Sequence, residues 1–384
     1  MGLKIGILGT RGIPNQYGGF EQFATFLSVG LMQKGHDVIV YNSHKHPYKK
    51  GSWNGVPIIR CYDPEYLLGT AGQFVYDFNC IIDARKRNFD VLLMLGYTSS
   101  SVWKMFYPNG TVIITNMDGL EWKRSKYSKW TRRFLLRAER LAVESSDYHI
   151  ADSEVIKEYL DKKYNINCRY LPYGAELNYS ANKKLLCEYG LSKGNYFMLM
   201  ARMEPENNIE MILDGFCRAQ SDKKFVVIGD VGNKFGRYIH KKYSENKGII
   251  FIGALFHTEK LKSLVKFAAV YFHGHSVGGT NPSLLEAMAS GVFIAAHANV
   301  FNESVLTQNA LYFSNKEEVS KIIMHHTVCF DKKFIQCNYD TIERQYAWSD
   351  IIESYELFFI ECCHAKEKTP VLPTPLLQLS ANGV

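Results

Sequence analysis

Short apolar runs that end in glycine alternate with helically spaced apolar positions through the first half of the chain. Residues 3–9 (LKIGILG) form such a run, as expected of a strand buried in a parallel sheet. Phe20, Phe23, Leu27 and Leu31 then recur at helical spacing, and Gly35 follows as a stop signal. Further buried strands are predicted at 36–42 (HDVIVYN), 89–96 (FDVLLMLG) and 111–119 (TVIITNMDG). Helical patterns cover 71–87 and 129–145. Residues 147–153 (DYHIADS) read as a strand that ends on a helix-capping serine. This alternation predicts a doubly wound parallel α/β sheet.

Residues 169–195 break the pattern with Pro, Gly, Asn and Ser and hold no sustained period, so the linker is placed at about 174–193. The alternation then restarts. Strands are predicted at 196–201, 224–230, 249–253, 269–274 and 291–297, with helices at 207–219, 237–245 and 258–268 between them. The expected organisation is a Rossmann-like domain over 1–180 and a second over 181–348, facing each other across a cleft. A crossing helix over 349–365 and an irregular tail over 366–384 complete it.

The length of 384 residues agrees with two cores rather than one. A net charge of +7 is compatible with an anionic ligand or surface. The nine cysteines show no CxxC pair or metal-finger spacing and read as reduced thiols, which points to the cytoplasm. The opening MGLKIGILG enters a strand pattern directly, so no signal peptide is expected. No apolar run reaches the length of a membrane span.

Ligands of such sheets bind beyond the carboxyl ends of the strands. Four unusual segments fall there. The first is GTRGIPNQYGGFE (9–21), whose Tyr17, Gly18 and Gly19 open a helix. Its spacing matches neither GxGxxG nor a P-loop, which argues against an NAD-dependent oxidoreductase. It is either an anion-binding loop or a flexible connector. The second is NMDGLEW (116–122). Asp118 and Glu121 either polarise an acceptor hydroxyl or shape an Asx turn.

The third segment is ARMEPENN (201–208). Arg202 is placed to meet a diphosphate, while Asn207 and Asn208 have a plain role as helix caps. The fourth is HGHSVGGTNPSLLEAMASG (273–291). Gly278 and Gly279 permit close backbone approach. Thr280, Asn281 and Ser283 lead into a helix whose free N–H groups suit phosphate. Glu286, one turn inside, suits the hydroxyls of a ribose or simply complements the helix dipole. His273 and His275 either reach the cleft or serve the core. No carboxylate lies near enough in sequence to make them metal ligands, so no metal is expected.

Residues 122–140 hold eight basic residues interleaved with Trp122, Tyr127, Trp130 and Phe134. This reads as a membrane-surface helix or as a solvated face. No nucleic-acid-binding fold accompanies it, so nucleic acid is not expected as a partner.

Taken together, these motifs resemble the retaining GT-B glycosyltransferases of glycosyltransferase family 4. More narrowly they resemble the bacterial rhamnosyltransferase branch that builds capsule and O-antigen. The resemblance runs through GTRGIPNQYGGFE, DGLEWKRSKYSKWTRR, ADSEVIKEYL, LPYGAE, ARMEPENN and HGHSVGGTNPSLLEAMASG, and stops near Lys366. It implies a nucleotide-sugar donor, dTDP-rhamnose in that branch, bound by the second domain. A saccharide acceptor, lipid-linked in that branch, would be bound by the first. Glu286 would hold the ribose, with only the 3′-hydroxyl left if the nucleoside is deoxythymidine. Arg202 would neutralise the diphosphate, and Asp118 with Gly18 and Gly19 would shape the acceptor side.

The resemblance also implies retention at the anomeric carbon, no cofactor and no metal. Two departures stand out: Asn207 replaces the family's lysine, and Gly278 replaces its first motif glutamate. Ser276 and the backbone of 278–280 are the nearest substitutes, an arrangement compatible with a 6-deoxy sugar. A transferase using a UDP-hexose or UDP-N-acetylhexosamine, or a non-catalytic sugar-nucleotide-binding subunit, are the alternatives. The expected location is the cytoplasm, with peripheral contact at the inner face of the membrane through 122–140.

Overall fold

The computed structural model describes residues 2–124, 126–328 and 330–368. The first sheet contains β1 (Lys4–Leu8), β2 (Asp37–Ser43), β3 (Ser52–Trp53), β4 (Val56–Cys61), β5 (Val91–Leu95), β6 (Val112–Asn116), β7 (Tyr148–Ala151) and β8 (Arg169–Tyr170). Their order is β3-β4-β2-β1-β5-β6-β7-β8. Every pair is parallel except β3 with β4. Ile5, Ile7, Val91, Leu93 and Ile114 are fully buried, which explains the uninterrupted apolar runs.

The second sheet contains β9 (Tyr196–Met200), β10 (Lys224–Ile228), β11 (Ile249–Gly253), β12 (Val270–His273), β13 (Ile294–His297) and β14 (Leu311–Phe313). It is parallel throughout, in the order β11-β10-β9-β12-β13-β14. Strand order reverses between β1 and β5 in one sheet and between β9 and β12 in the other. A crevice opens at such points. The loops after β1, β9 and β12 carry three of the four segments picked out above, and the fourth follows β6.

The helix Trp348–Lys368 leaves the second domain and lies on the first. Trp348 stacks on Phe26 at 4.7 Å, and Tyr355 packs on Phe23 at 5.2 Å. Lys34 and His36 both meet Glu356, at 2.6 and 3.0 Å. The helix therefore ties the two domains together on the side where Gly19–Gln33 also packs. It remains helical through Lys368, past the expected start of the irregular tail; residues 369–384 lie outside the described residues. Within the segment read as a linker, Lys183–Tyr189 forms a short 3-10 helix, and Asn182 bonds to Ser263 of the second domain at 2.9 Å.

Candidate functional site

The four segments meet each other, so the domains are closed. Gly18 precedes the helix Gly19–Gln33, whose Gln22 reaches across the cleft. Its Nε2 donates to Glu286 Oε1 at 2.7 Å. A Cβ on Gly19 would sit 3.2 Å from Pro282, the first residue of the helix Pro282–Ser290. Tyr17 is half exposed and stacks on the Arg11 guanidinium at 3.7 Å. Glu21, in the same first turn, accepts from the Arg11 backbone N–H at 2.8 Å. Tyr17, Gly18 and Gly19 thus border the helix end that carries Glu286. Burial pushes the Glu286 carboxyl up, and the Gln22 hydrogen bond opposes this.

Asp118 stands two residues beyond β6 with a φ of 50°, a left-handed conformation unusual for a side-chain-bearing residue. Its N–H donates to Asn116 Oδ1 at 3.0 Å, so the Asx turn belongs to Asn116. A Cβ on the following Gly119 would lie 2.7 Å from Gly278 Cα, so only glycine lets these two backbones meet. Gly278 itself has a φ of 140°.

Glu121 is held by Arg124 at 2.6 Å, and Arg124 reaches Glu206 of the second domain at 3.5 Å. Arg124 is buried between these two carboxylates. Burial raises the Glu121 carboxyl, with Arg124 acting against it. A second bridge, Lys126 to Glu204 at 2.9 Å, lies beside it. Glu121 and Arg124 therefore serve the contact between domains.

Arg202 is exposed at the end of β9. Asn207 does not share its setting. It is buried, and its Nδ2 donates to the Arg202 carbonyl at 2.7 Å. The amide closes the turn between Arg202 and Asn207. Ser276 is spent similarly, its N–H and Oγ donating to the Glu206 carbonyl at 3.1 and 2.7 Å. Asn281 caps the helix Pro282–Ser290 by accepting from the Ser283 N–H at 3.0 Å and its Oγ at 2.7 Å. Thr280 Oγ1 donates to the Asp152 carbonyl of the first domain.

Tyr271 and His273 alternate along β12, and His275, two residues on, continues the alternation. His273 stacks on His275 with ring centres 4.4 Å apart, and on Tyr271 at 6.0 Å. His273 is fully buried, and among the described residues neither of its ring nitrogens has a hydrogen-bond partner; His275 Nδ1 also lacks one there. Burial pulls His273 down to about 3. His275 is lowered by burial first, then by His273, Arg202 and Arg124. Burial thus disfavours the charged form of both imidazoles, and Arg202 lies close enough to His275 to add to its shift.

Four functional contacts escaped sequence reasoning: Gln22, Arg124, Asp152 and Glu206. Arg124 was hidden in a basic run, and Asp152 in a strand end read for its serine. That serine, Ser153, precedes the helix Glu154–Tyr164 without a side-chain capping bond. Trp122 was grouped with a membrane face, but it packs on Tyr159 at 6.3 Å and its buried Nε1 has no partner.

Residues 3–176 match the family model described as a domain of unknown function, DUF1972. Residues 188–323 match glycosyl transferases group 1. No curated protein matches the chain in sequence. Among solved structures, sucrose-phosphate synthase from Thermosynechococcus elongatus is similar with a TM-score of 0.78 at 15% identity, over 94% of this chain and 100% of that one. HepE of Anabaena, solved with UDP and glucose, gives 0.71 at 13% identity over 94% and 100%. A glycosyltransferase from Rickettsia africae gives 0.70 at 14% identity over 94% and 98%. The chain has the GT-B fold of two α/β domains, and residues 188–323 within the second are similar to the glycosyl transferases of group 1.

Proposed function

We propose that the protein transfers a sugar, L-rhamnose from dTDP-rhamnose, to a lipid-linked saccharide in surface-polysaccharide synthesis. The observation that carries the transfer reading is Glu286. It is a half-buried carboxylate one turn inside a helix, behind a glycine loop, with a neutral amide as its partner. A ribose hydroxyl can replace that amide. Arg202 and the N–H groups of the glycine loop supply the positive environment that a departing diphosphate needs. Asp118 lies on the acceptor side. With the acceptor hydroxyl on the leaving-group face, transfer proceeds with retention and needs no protein nucleophile. Closure of the two domains keeps water from the donor.

A UDP-hexose donor is the second reading, favoured by HepE, which was solved with UDP-glucose. Thermal shift against dTDP-rhamnose, UDP-glucose, UDP-N-acetylglucosamine, GDP-mannose and NAD separates the two. Stabilisation by a dTDP-sugar supports the first and by a UDP-sugar the second. A response to NAD alone refutes both.

The acceptor would be met at the inner face of the cytoplasmic membrane. Trp130 is 76% and Met105 86% exposed. Phe134 and Phe106, also exposed, both sit on the helix Gly72–Ala84, packing on Phe74 at 5.7 Å and Phe78 at 5.2 Å. Lys129, Arg133 and Arg137 share the helix Lys129–Ser145 with Trp130 and Phe134. Exposed aromatics among cations suit an anionic lipid surface. The aromatic part of that face is Trp130 and Phe134, without the inward-turned Trp122.

A further inference from the structure

Asp152 follows β7 as Asp118 follows β6. The two strands pair in parallel with Asn116 opposite Ile150, so each aspartate lies two residues past that pair. The first domain thus presents two carboxylates side by side beyond the carboxyl ends of adjacent strands. Asp152, and Gly119 next to Asp118, meet the same loop of the second domain. Gly119 lies against Gly278, and a side chain at 279 would collide with the Asp152 carboxylate. Thr280 Oγ1 fastens the loop to the Asp152 carbonyl.

Asp152 is 2% exposed, and its Oδ1 has no hydrogen-bond partner among the described residues. A buried carboxylate oxygen without a donor is costly, and such an atom at a cleft calls for a partner from a ligand. No cation is the cause of its altered acidity. Burial pushes the carboxyl well up and Asp118 adds to this, while backbone hydrogen bonds including one from Thr280 oppose it. A neutral hydroxyl fits, since a carboxyl group can both donate to it and accept from it.

We propose that Asp152 binds a sugar hydroxyl presented at the Gly278–Thr280 loop, making it a substrate-facing residue beside Asp118. The inference rests on the glycosyltransferase reading. The hydroxyl comes either from the donor sugar or from the attacking acceptor. The position normally filled by a glutamate in the resembled family is glycine here, Gly278, and Asp152 brings a carboxyl to that same loop from the opposite domain.

The test compares wild type, Asp152→Asn and Asp152→Ala. UDP and dTDP report on nucleotide binding, UDP-glucose and dTDP-rhamnose on binding of the sugar, and donor hydrolysis on the attacking oxygen, with water as acceptor. If the hydroxyl belongs to the donor, Asp152→Ala weakens nucleotide-sugar binding about tenfold and leaves nucleoside-diphosphate binding within about twofold. If it belongs to the acceptor, both affinities hold and hydrolysis slows about tenfold. In either case Asp152→Asn, which still donates and accepts, recovers most of the loss. The proposal is overturned if none of these quantities moves. It is also overturned if nucleoside-diphosphate affinity falls in step with melting temperature. A wild-type protein that binds no nucleotide overturns the glycosyltransferase reading, and this proposal with it. Normal wild-type binding with an insensitive Asp152 overturns this proposal alone.

Discussion

Gln22 of the first domain donates a hydrogen bond to Glu286 of the second at 2.7 Å, across the cleft between two independently wound sheets. The amide occupies the carboxylate that the account gives to a ribose. Nucleotide binding must therefore exchange one neutral donor for another. Glu286→Ala is expected to weaken nucleotide binding by about 1.5–3 kcal/mol, the worth of a charge-assisted hydrogen bond. Titration calorimetry with UDP and dTDP measures it, and an unchanged affinity rejects the site.

The same residue sets a pH dependence. Burial raises the Glu286 carboxyl above the ordinary carboxylate range. The charged form accepts from ribose hydroxyls, so affinity is present above the raised value and is lost as pH falls through it. The loss should begin at a higher pH than an ordinary glutamate would give. Glu286→Gln should flatten the profile. An identical profile in the variant would assign the titration to another group.

The interdomain ion pairs separate burial from charge. Arg124→Ala takes the buried guanidinium away from the Glu121 carboxylate and is expected to cost about 3–5 kcal/mol. Lys126→Ala removes a more exposed bridge to Glu204 and should cost under about 1 kcal/mol. Urea unfolding of both variants checks the contrast, and equal effects would contradict it.

Asp77 lies in the helix Gly72–Ala84, is buried, and accepts from Ser99 Oγ at 2.5 Å. Burial raises it to about 7. The folded chain holds this proton more tightly than the unfolded one. Its contribution is fully present below the ordinary carboxylate range and falls as pH rises through about 7. Asp77→Asn should therefore gain melting temperature over wild type between about pH 5 and about pH 8. A constant difference across that range would refute the linkage.

Trp130 carries the membrane proposal. Trp130→Ala is expected to reduce co-sedimentation with vesicles of anionic lipid several-fold, with nucleotide binding unchanged. Trp122→Ala should instead lower the melting temperature, because Trp122 packs on Tyr159. Equal vesicle binding by wild type and Trp130→Ala would remove the patch from the account.

The fold was legible where burial on both faces leaves an uninterrupted apolar run, as in β5 and β9. The helix Lys129–Ser145 was legible from its spacing. The edge was harder. In β4, Pro57 and Arg60 break the run, because only the two-residue β3 lies beyond it. β3 and β8 are two residues each and carry no period. Within the site, glycines and a helix start announced the loop at 274–281. The partners of that loop are remote in sequence: Gln22 lies 264 positions from Glu286. Nothing local distinguishes Asp152 from a strand-end aspartate, or Arg124 from its basic neighbours. Their roles exist only once the domains close.

The most direct measurement is titration of wild-type protein and Glu286→Ala with dTDP-rhamnose, UDP-glucose and NAD. The expected result is saturable binding of a nucleotide sugar by wild type, weakened in the variant, and none of NAD. Binding of NAD instead, or equal nucleotide-sugar binding by both proteins, would contradict the assignment of this cleft to a sugar-nucleotide donor.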